Sequence, residues 1–359
     1  MTGQVIDNWG MGYTPALYGQ LLDNGNLLYA GHDPDGPLAD LEGSGGVLLE
    51  VDFNGKEIWR YEDSFMHHGF CRLANGNILI LKWKPIPEKI AQNIPGGLEG
   101  TEKDGKMWGD CLAEINKDGK VVWQWNSFDN LNPADFPICP LCYRDRWLNT
   151  SCCSVNLDGN IVAAFRNCSQ VCIINRNTGK ADWKWGFGEI SHSAWAQALD
   201  NGNILVFDNG IHGHGVHFPF SRIVEINPKD NKMVWGYRDK DNENTPFYGS
   251  FMSSCQRLPN GNTLITETDH GRIFEVNTDG EIVWEFINPV HGSLTHYGDT
   301  NAVACAFRYD PAFIAFRGDH AKINEYKNPK PMKTDQPDKA QQPEDESSAV
   351  ESRLASLGY

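Results

Sequence analysis

The stretch "LDNGNILVFDNG" (Leu199–Gly210), followed by "SRIVEINPKDNKMVWGYRD" (Ser221–Asp239), reads as two successive hairpins. In the first, an Asn-Gly turn leads into a β-branched run, and glycine at the second turn position supplies the φ > 0 of a tight hairpin. The second is strand, polar turn, strand, and it closes on a tryptophan. Working outward, the same phrase returns in "GRIFEVNTDGEIVWEF" (Gly271–Phe286), "DCLAEINKDGKVVWQW" (Asp110–Trp125) and "GGVLLEVDFNGKEIWRY" (Gly45–Tyr61). The leading turns centre on Gly25, Gly76, Gly159, Gly202 and Gly261. The closing tryptophans are Trp59, Trp123, Trp183, Trp235 and Trp284, roughly 50 to 65 residues apart, a spacing that belongs to repeat architectures. Two hairpins per unit make a four-stranded antiparallel sheet, and radial stacking buries both faces of such a sheet. The prediction is all-β: a β-propeller.

The count predicts six blades. Five units are complete, and "TNAVACAFRYDPAFIAFRGD" (Thr300–Asp319) supplies strands of a sixth without its tryptophan. "TGQVIDNW" (Thr2–Trp9) looks like the second half of the missing hairpin, so a blade shared between the two chain ends would close the ring. The propeller is then expected over residues 1–326. Residues 327–359 are Pro-, Lys-, Gln- and Glu-rich with almost nothing apolar, and are expected to be a disordered tail.

Composition narrows the function. A formal net charge of −16 argues against nucleic acid or an anionic membrane as partner, because both would repel the chain. No apolar run approaches the roughly 20 residues that span a bilayer. The start "MTGQVIDNWG" lacks the segments of a secretory signal, which predicts a cytoplasmic protein. Ten cysteines fit that reading if they are reduced, several lying at alternating strand positions as small buried hydrophobes. "CPLC" (Cys139–Cys142) is a lone CxxC, half a zinc site at best.

Long insertions interrupt the repeats at 32–45, 82–110, 127–147 and 210–220, and in a propeller these collect on the rims, where binding residues concentrate. The residues just ahead of each Asn-Gly turn strand face the channel. Blade by blade these are Tyr18, then His67 and His68, then Asn149 to Ser151, then His192, then Ser253 and Ser254, then His296 or Asn301. Imidazoles, hydroxyls and an amide at equivalent positions point to one shared site.

"SHSAWAQALDNGNILVFDNG" (Ser191–Gly210) and "RLPNGNTLITETDHGRIFEV" (Arg257–Val276) resemble the bacterial arylsulfate sulfotransferase family of six-bladed propellers, over roughly Gly10 to Asn288. The resemblance implies that His192 takes the sulfuryl group from an aryl sulfate and passes it to a phenol. It implies His68 (or His67) as the assisting histidine and Arg166, in "VAAFRN", as the sulfate-binding cation. Asn209 of "FDNG" matches the family position too; with His67, Asn149, Ser151 and Arg222 it makes up the expected substrate-binding set. One departure stands out: the family's His-x-Asn ahead of the Arg166 strand is here Asn149, Thr150 and Ser151. The expected partner is a small aromatic or anionic substrate.

No cofactor is favoured, but "HGHGVH" (His212, His214, His217) has a plausible spacing for a divalent metal. A metal would turn the same channel toward lyase, hydrolase or oxidative chemistry. A non-catalytic binding scaffold is the third reading, since fold alone does not fix function. Oligomeric state is not legible.

Overall fold

In the computed structural model the described residues are 8–213, 219–239, 247–294 and 298–309, all within one compact unit, Asn8–His320. Blade one is β1 (Pro15–Leu21), β2 (Leu27–His32), β3 (Gly46–Val51) and β4 (Glu57–Glu62). Blade two is β5 (Met66–Arg72), β6 (Ile78–Pro85), β8 (Trp108–Ile115) and β9 (Val121–Asn126), interrupted by a short β7 (Gly96–Leu98). After β10 (Ile138–Tyr143), blade three follows as β11 (Thr150–Val155), β12 (Ile161–Phe165), β13 (Gln170–Ile174) and β14 (Ala181–Trp185). Blade four is β15 (Trp195–Ala198), β16 (Ile204–Asp208), β17 (Arg222–Asn227) and β18 (Lys232–Tyr237). Blade five is β19 (Ser254–Arg257), β20 (Thr263–Glu267), β21 (Arg272–Val276) and β22 (Ile282–Ile287), before a small hairpin of β23 (Gly292–Leu294) and β24 (Gly298–Thr300). Within each blade the strands pair antiparallel in chain order.

The described residues form five four-stranded blades rather than the expected six. The sixth unit lacks a closing tryptophan, and beyond Thr300 its described residues form no strand. Residues 301–309 instead lie against blades five and one: Arg308 N donates to Gln256 Oε1 (2.8 Å), and the Tyr309 hydroxyl accepts from Leu21 N (2.9 Å). Residues 1–7, 310–319 and the predicted tail fall outside the described residues.

Burial explains the sequence pattern. The second strands, such as "IVAAF" of β12 and "ILVFD" of β16, are buried at every residue because a neighbouring blade covers each face. Fourth strands such as "ADWKW" of β14 alternate, since their outer face meets water. The first strands converge, β1 on β5, β5 on β11, β11 on β15 and β15 on β19. Where sheets crowd together only small or flat side chains fit, which accounts for Cys71, Cys152, Cys153, Cys255 and Cys305 gathering around the half-buried Tyr18 ring. Tyr18 packs on Trp195 and Phe307 with ring centroids 5.7 and 5.4 Å apart.

Two repeated contacts join the blades. The closing tryptophan of one blade donates its indole N–H to the outer turn of the next: Trp59 to Lys117 O (2.8 Å), Trp123 to Arg176 O (3.0 Å), Trp235 to Thr278 O (2.9 Å). In blades one, two, four and five a glutamate of the third strand holds the Asn-Gly-Asn turn of its own blade. Glu225 accepts from Asn201 (3.0 Å) and Asn203 (2.7 Å), and its other oxygen accepts from Arg257 of the next blade (2.7 Å). Glu114 does the same with Asn75, Asn77 and Arg176. Glu275 pairs with Arg308, whose guanidinium lies over Trp284 as Arg257 lies over Trp235. The turn itself needs glycine, Gly202 standing at φ 84°.

A buried carboxylate with three donors should matter more than a rim indole. Glu225→Ala is expected to cost about 3–5 kcal/mol, because it strands a guanidinium and two amides. Trp235→Phe should cost at most about 1 kcal/mol. Urea denaturation of both variants checks the order; equal losses would contradict it.

Candidate functional site

The first strands reach the channel with an unusual backbone. His68 (φ 53°), Asn149 (51°), His192 (56°) and Ser253 (73°) all lie in the left-handed region, at matching places in blades two to five. Non-glycine residues rarely adopt it, and such residues cluster where function holds them. In blades two and three this coincides with a shift of strand register, between Met66 and Phe70 and between Thr150 and Cys152. A bulge re-aims the side chain. Four of the residues expected at the channel thus share a repeated backbone kink.

His68, Asn149, Ser151, Arg166 and Ser253 line one axial cavity of about 30 Å³ with Gly43 and Met252. The Arg166 guanidinium donates to Ser250 O (3.2 Å). Its positive charge reaches three imidazoles. His68 is pushed down to about 3 by burial, Arg146 and Arg166; His192 is pushed down to about 3 by burial, Arg166 and His212; His212 is lowered by burial and Arg166. All three are uncharged near neutral pH. Of the three residues read separately from three blades, His68 and Arg166 share the axial cavity, while His192 opens on a second cleft and meets Arg166 through its charge.

Other expected residues are occupied with structure. His67 is 1% exposed, stacked on Trp83 (4.4 Å, 12°), its Nδ1 2.9 Å from that of His68 and its Nε2 3.6 Å from Asp110. Burial lowers its basicity well below the usual range and lifts Asp110 to about 6. His67 therefore orients His68 from behind the cavity wall. Asn209 is fully buried and acts as a clasp: Oδ1 accepts from Ala194 N (2.7 Å), and Nδ2 donates to Gly249 O (2.6 Å). Asn149 stays in the cavity, 3.4 Å from Asn167 with Oδ1 unpartnered, and Ser151 Oγ donates to Ser193 O (3.2 Å). Arg222 pairs with Asp208 (2.8 Å) and lines a separate, larger cleft.

That cleft, about 470 Å³, opens beside His192 and is also lined by Cys139, Phe187, Asp208 and His212. Two insertions build its wall. β7 and β10 pair in parallel, and Arg144 fastens them, donating to Glu102 (2.9 Å), Ile94 O (3.1 Å) and Ala91 O (3.2 Å). Gly96 must be glycine, since a Cβ there would overlap the Ile138 carbonyl. The plate carries Cys139 and Cys142 onto blade four. Cys142 Sγ lies 3.1 Å from His192 Nε2 and 3.8 Å from His212 Nδ1, and Cys139 Sγ 3.7 Å from His212 Nδ1. Burial and Cys139 push the Cys142 thiol up to about 12. Of the loop histidines expected to bind metal, His212 is here; His214 and His217 lie outside the described residues.

The sequence reading missed this convergence. The CxxC was visible, but its partners sit 50 and 70 residues further on, in another blade and another insertion. Asp110, Trp83 and Arg146 were missed too, being read as insertion or strand. Arg146 donates to Glu42 O (2.6 Å) and lies over the Trp83 ring, tying a third insertion to the His67 pocket.

A model of the family described as Arylsulfotransferase (ASST) matches residues 20–289. No curated protein matches the chain. Solved structures to which it is similar include a protein of unknown function from Bacteroides caccae, at 16% identity and TM-score 0.47, over 75% of this chain and 80% of that one. Another is virginiamycin B lyase from Staphylococcus aureus, at 12% identity and TM-score 0.44, over 76% and 70%. A third is hydrazine synthase from Kuenenia stuttgartiensis, at 9% identity and TM-score 0.42, over 79% and 68%. On the family match, which spans most of the five blades and the left-handed His68, His192 and His212, the chain belongs to the arylsulfotransferase family.

Proposed function

We propose that the protein transfers a sulfuryl group from an aryl sulfate to a hydroxyl acceptor, with the His192 imidazole as nucleophile. The observation that carries this reading is the Arg166 guanidinium, which acts on both His68 and His192 from the axial cavity. Sulfuryl transfer resembles phosphoryl transfer in needing in-line positioning and a cation for the equatorial oxygens, and a guanidinium fork supplies the second. In the first step His192 Nε2 attacks sulfur, an N–S bond forms, and the aryl C–O–S linkage breaks at sulfur to release a phenolate. In the second the acceptor oxygen takes the group, the N–S bond breaks, and the acceptor proton passes to a base.

The electrostatics support an anionic substrate. Burial, reinforced by the Arg166 charge, holds both imidazoles neutral, hence with a free lone pair, but weakly basic. A sulfate ester bound at Arg166 would offset that charge and restore basicity when substrate is present. The 470 Å³ cleft beside His192 is of the size that takes a small aromatic ligand.

With a chromogenic aryl sulfate and a phenol acceptor, the wild-type protein should release the chromophore. His192→Asn should lower turnover by at least about 10³-fold. Arg166→Gln should lower it by about 10²–10³-fold. Absence of wild-type turnover, or turnover that survives in His192→Asn, overturns the reading.

A pH prediction follows from His68. Its folded pKa of about 3 lies below that of the unfolded chain, 6.5. The unfolded state therefore binds more protons below that value. The contribution to stability is complete above about pH 6.5 and is lost as pH falls toward about 3. Urea midpoints should drop between pH 7 and pH 4.5, and less so in His68→Gln; identical slopes would contradict it.

A further inference from the structure

We propose that Cys139, Cys142, His192 and His212 form a tetrahedral binding site for a zinc ion. Their four ligand atoms, Cys139 Sγ, Cys142 Sγ, His192 Nε2 and His212 Nδ1, lie within 4.8 Å of one another. Three of the separations are 3.1, 3.7 and 3.8 Å. Around tetrahedral zinc, with Zn–S of about 2.3 Å and Zn–N of about 2.0–2.1 Å, neighbouring ligands stand roughly 3.3–3.8 Å apart. The atoms are already near those spacings. Two thiolates and two imidazoles suit zinc rather than magnesium or calcium, which select oxygen.

The arrangement is built, not a chance meeting of surface groups. Cysteines three apart on a regular strand would point to opposite faces. Here the pairing of β10 with β7 shifts register between Ile138 and Tyr143, and the irregular strand turns both sulfurs toward blade four. Arg144 locks that plate to the preceding insertion. On the other side both histidines occupy the left-handed region, His192 at φ 56° and His212 at 57°. His192 is 1% exposed, its backbone N–H held by Ser169 Oγ (3.1 Å). Three chain segments distant in sequence thus hold strained or bulged backbone that aims four soft donors at one point.

Binding balances without redox chemistry. Zn²⁺ displaces the two thiol protons to solvent and takes one lone pair from each imidazole. The ion would pin the insertion plate to blade four. It would also occupy the His192 Nε2 lone pair on which the proposed transfer depends, so the zinc-bound and sulfuryl-accepting states exclude each other.

The site is tested on the full-length protein, purified reduced from zinc-supplemented medium, by elemental analysis, thiol titration and Co²⁺ substitution. About one equivalent of zinc is expected. So are the thiolate-to-cobalt charge-transfer band and intense d–d bands of tetrahedral Co²⁺. Cys142→Ser and His212→Asn should each lose most of the metal and the cobalt spectrum, their far-ultraviolet circular dichroism confirming that they fold. His212 lies on a rim loop, so its replacement keeps the test open if Cys142→Ser misfolds. Substoichiometric zinc without a tetrahedral cobalt spectrum overturns the proposal. So does a Cys139–Cys142 disulfide under reducing purification, or undiminished binding in both variants. These readouts need no turnover, so zinc binding can stand where sulfuryl transfer fails, and the reverse. Where both hold, added zinc suppresses chromophore release and a chelator restores it.

Discussion

A carboxylate buried between neighbouring blades sets the terms for the rest of the molecule. Glu114, Glu225 and Glu275 are 3–6% exposed, and each is neutralised by an arginine from the following unit. Such a group is costly unless every lone pair finds a donor. The Asn-Gly-Asn turns supply amides from one side and the guanidinium arrives from the other, with a tryptophan ring as its floor. Blades two, four and five are therefore complete only when the next segment is in place. Arg308 extends the pattern one step past blade five, meeting Glu275 and Trp284 as Arg257 meets Glu225 and Trp235.

This coupling fixes the first strands rigidly enough to hold backbone strain at their channel ends. Four left-handed residues in four blades, His68, Asn149, His192 and Ser253, would each relax if their strands could slide. They do not, because a slip of one residue would exchange the two buried faces of β12, β16 and their counterparts and break their close packing against both neighbouring blades. Strain held in this way places the His68 imidazole and the Asn149 amide beside Arg166 in one cavity, and burial, with the Arg166 charge adding to it, keeps His68 and His192 neutral.

The insertions use the same rigidity from outside. Pairing of β7 with β10 converts two long loops into a plate, and Arg144 closes it. His192 then has two neighbourhoods, the reach of the Arg166 charge and the sulfur pair of the plate. The proposed sulfuryl transfer and the proposed zinc site therefore draw on the same imidazole nitrogen.

Much of this was legible in the chain. The period of the tryptophans specifies a succession of hairpin pairs, because repetition of one unit lets each unit cover the next. The matching slots of His68, Asn149 and His192 followed from the same alignment of repeats. The blade count did not: a partial unit in the sequence leaves open whether its residues pair, and residues 301–309 take no strand of their own. Nor could spacing reveal that Asn209 is consumed by backbone bonds or that His67 sits behind the wall, since burial depends on what packs around a residue. The union of Cys139 and Cys142 with His192 and His212 belongs to tertiary structure alone. It requires two insertions to pair and a third to fold over blade four, and local sequence carries no record of which loops will meet.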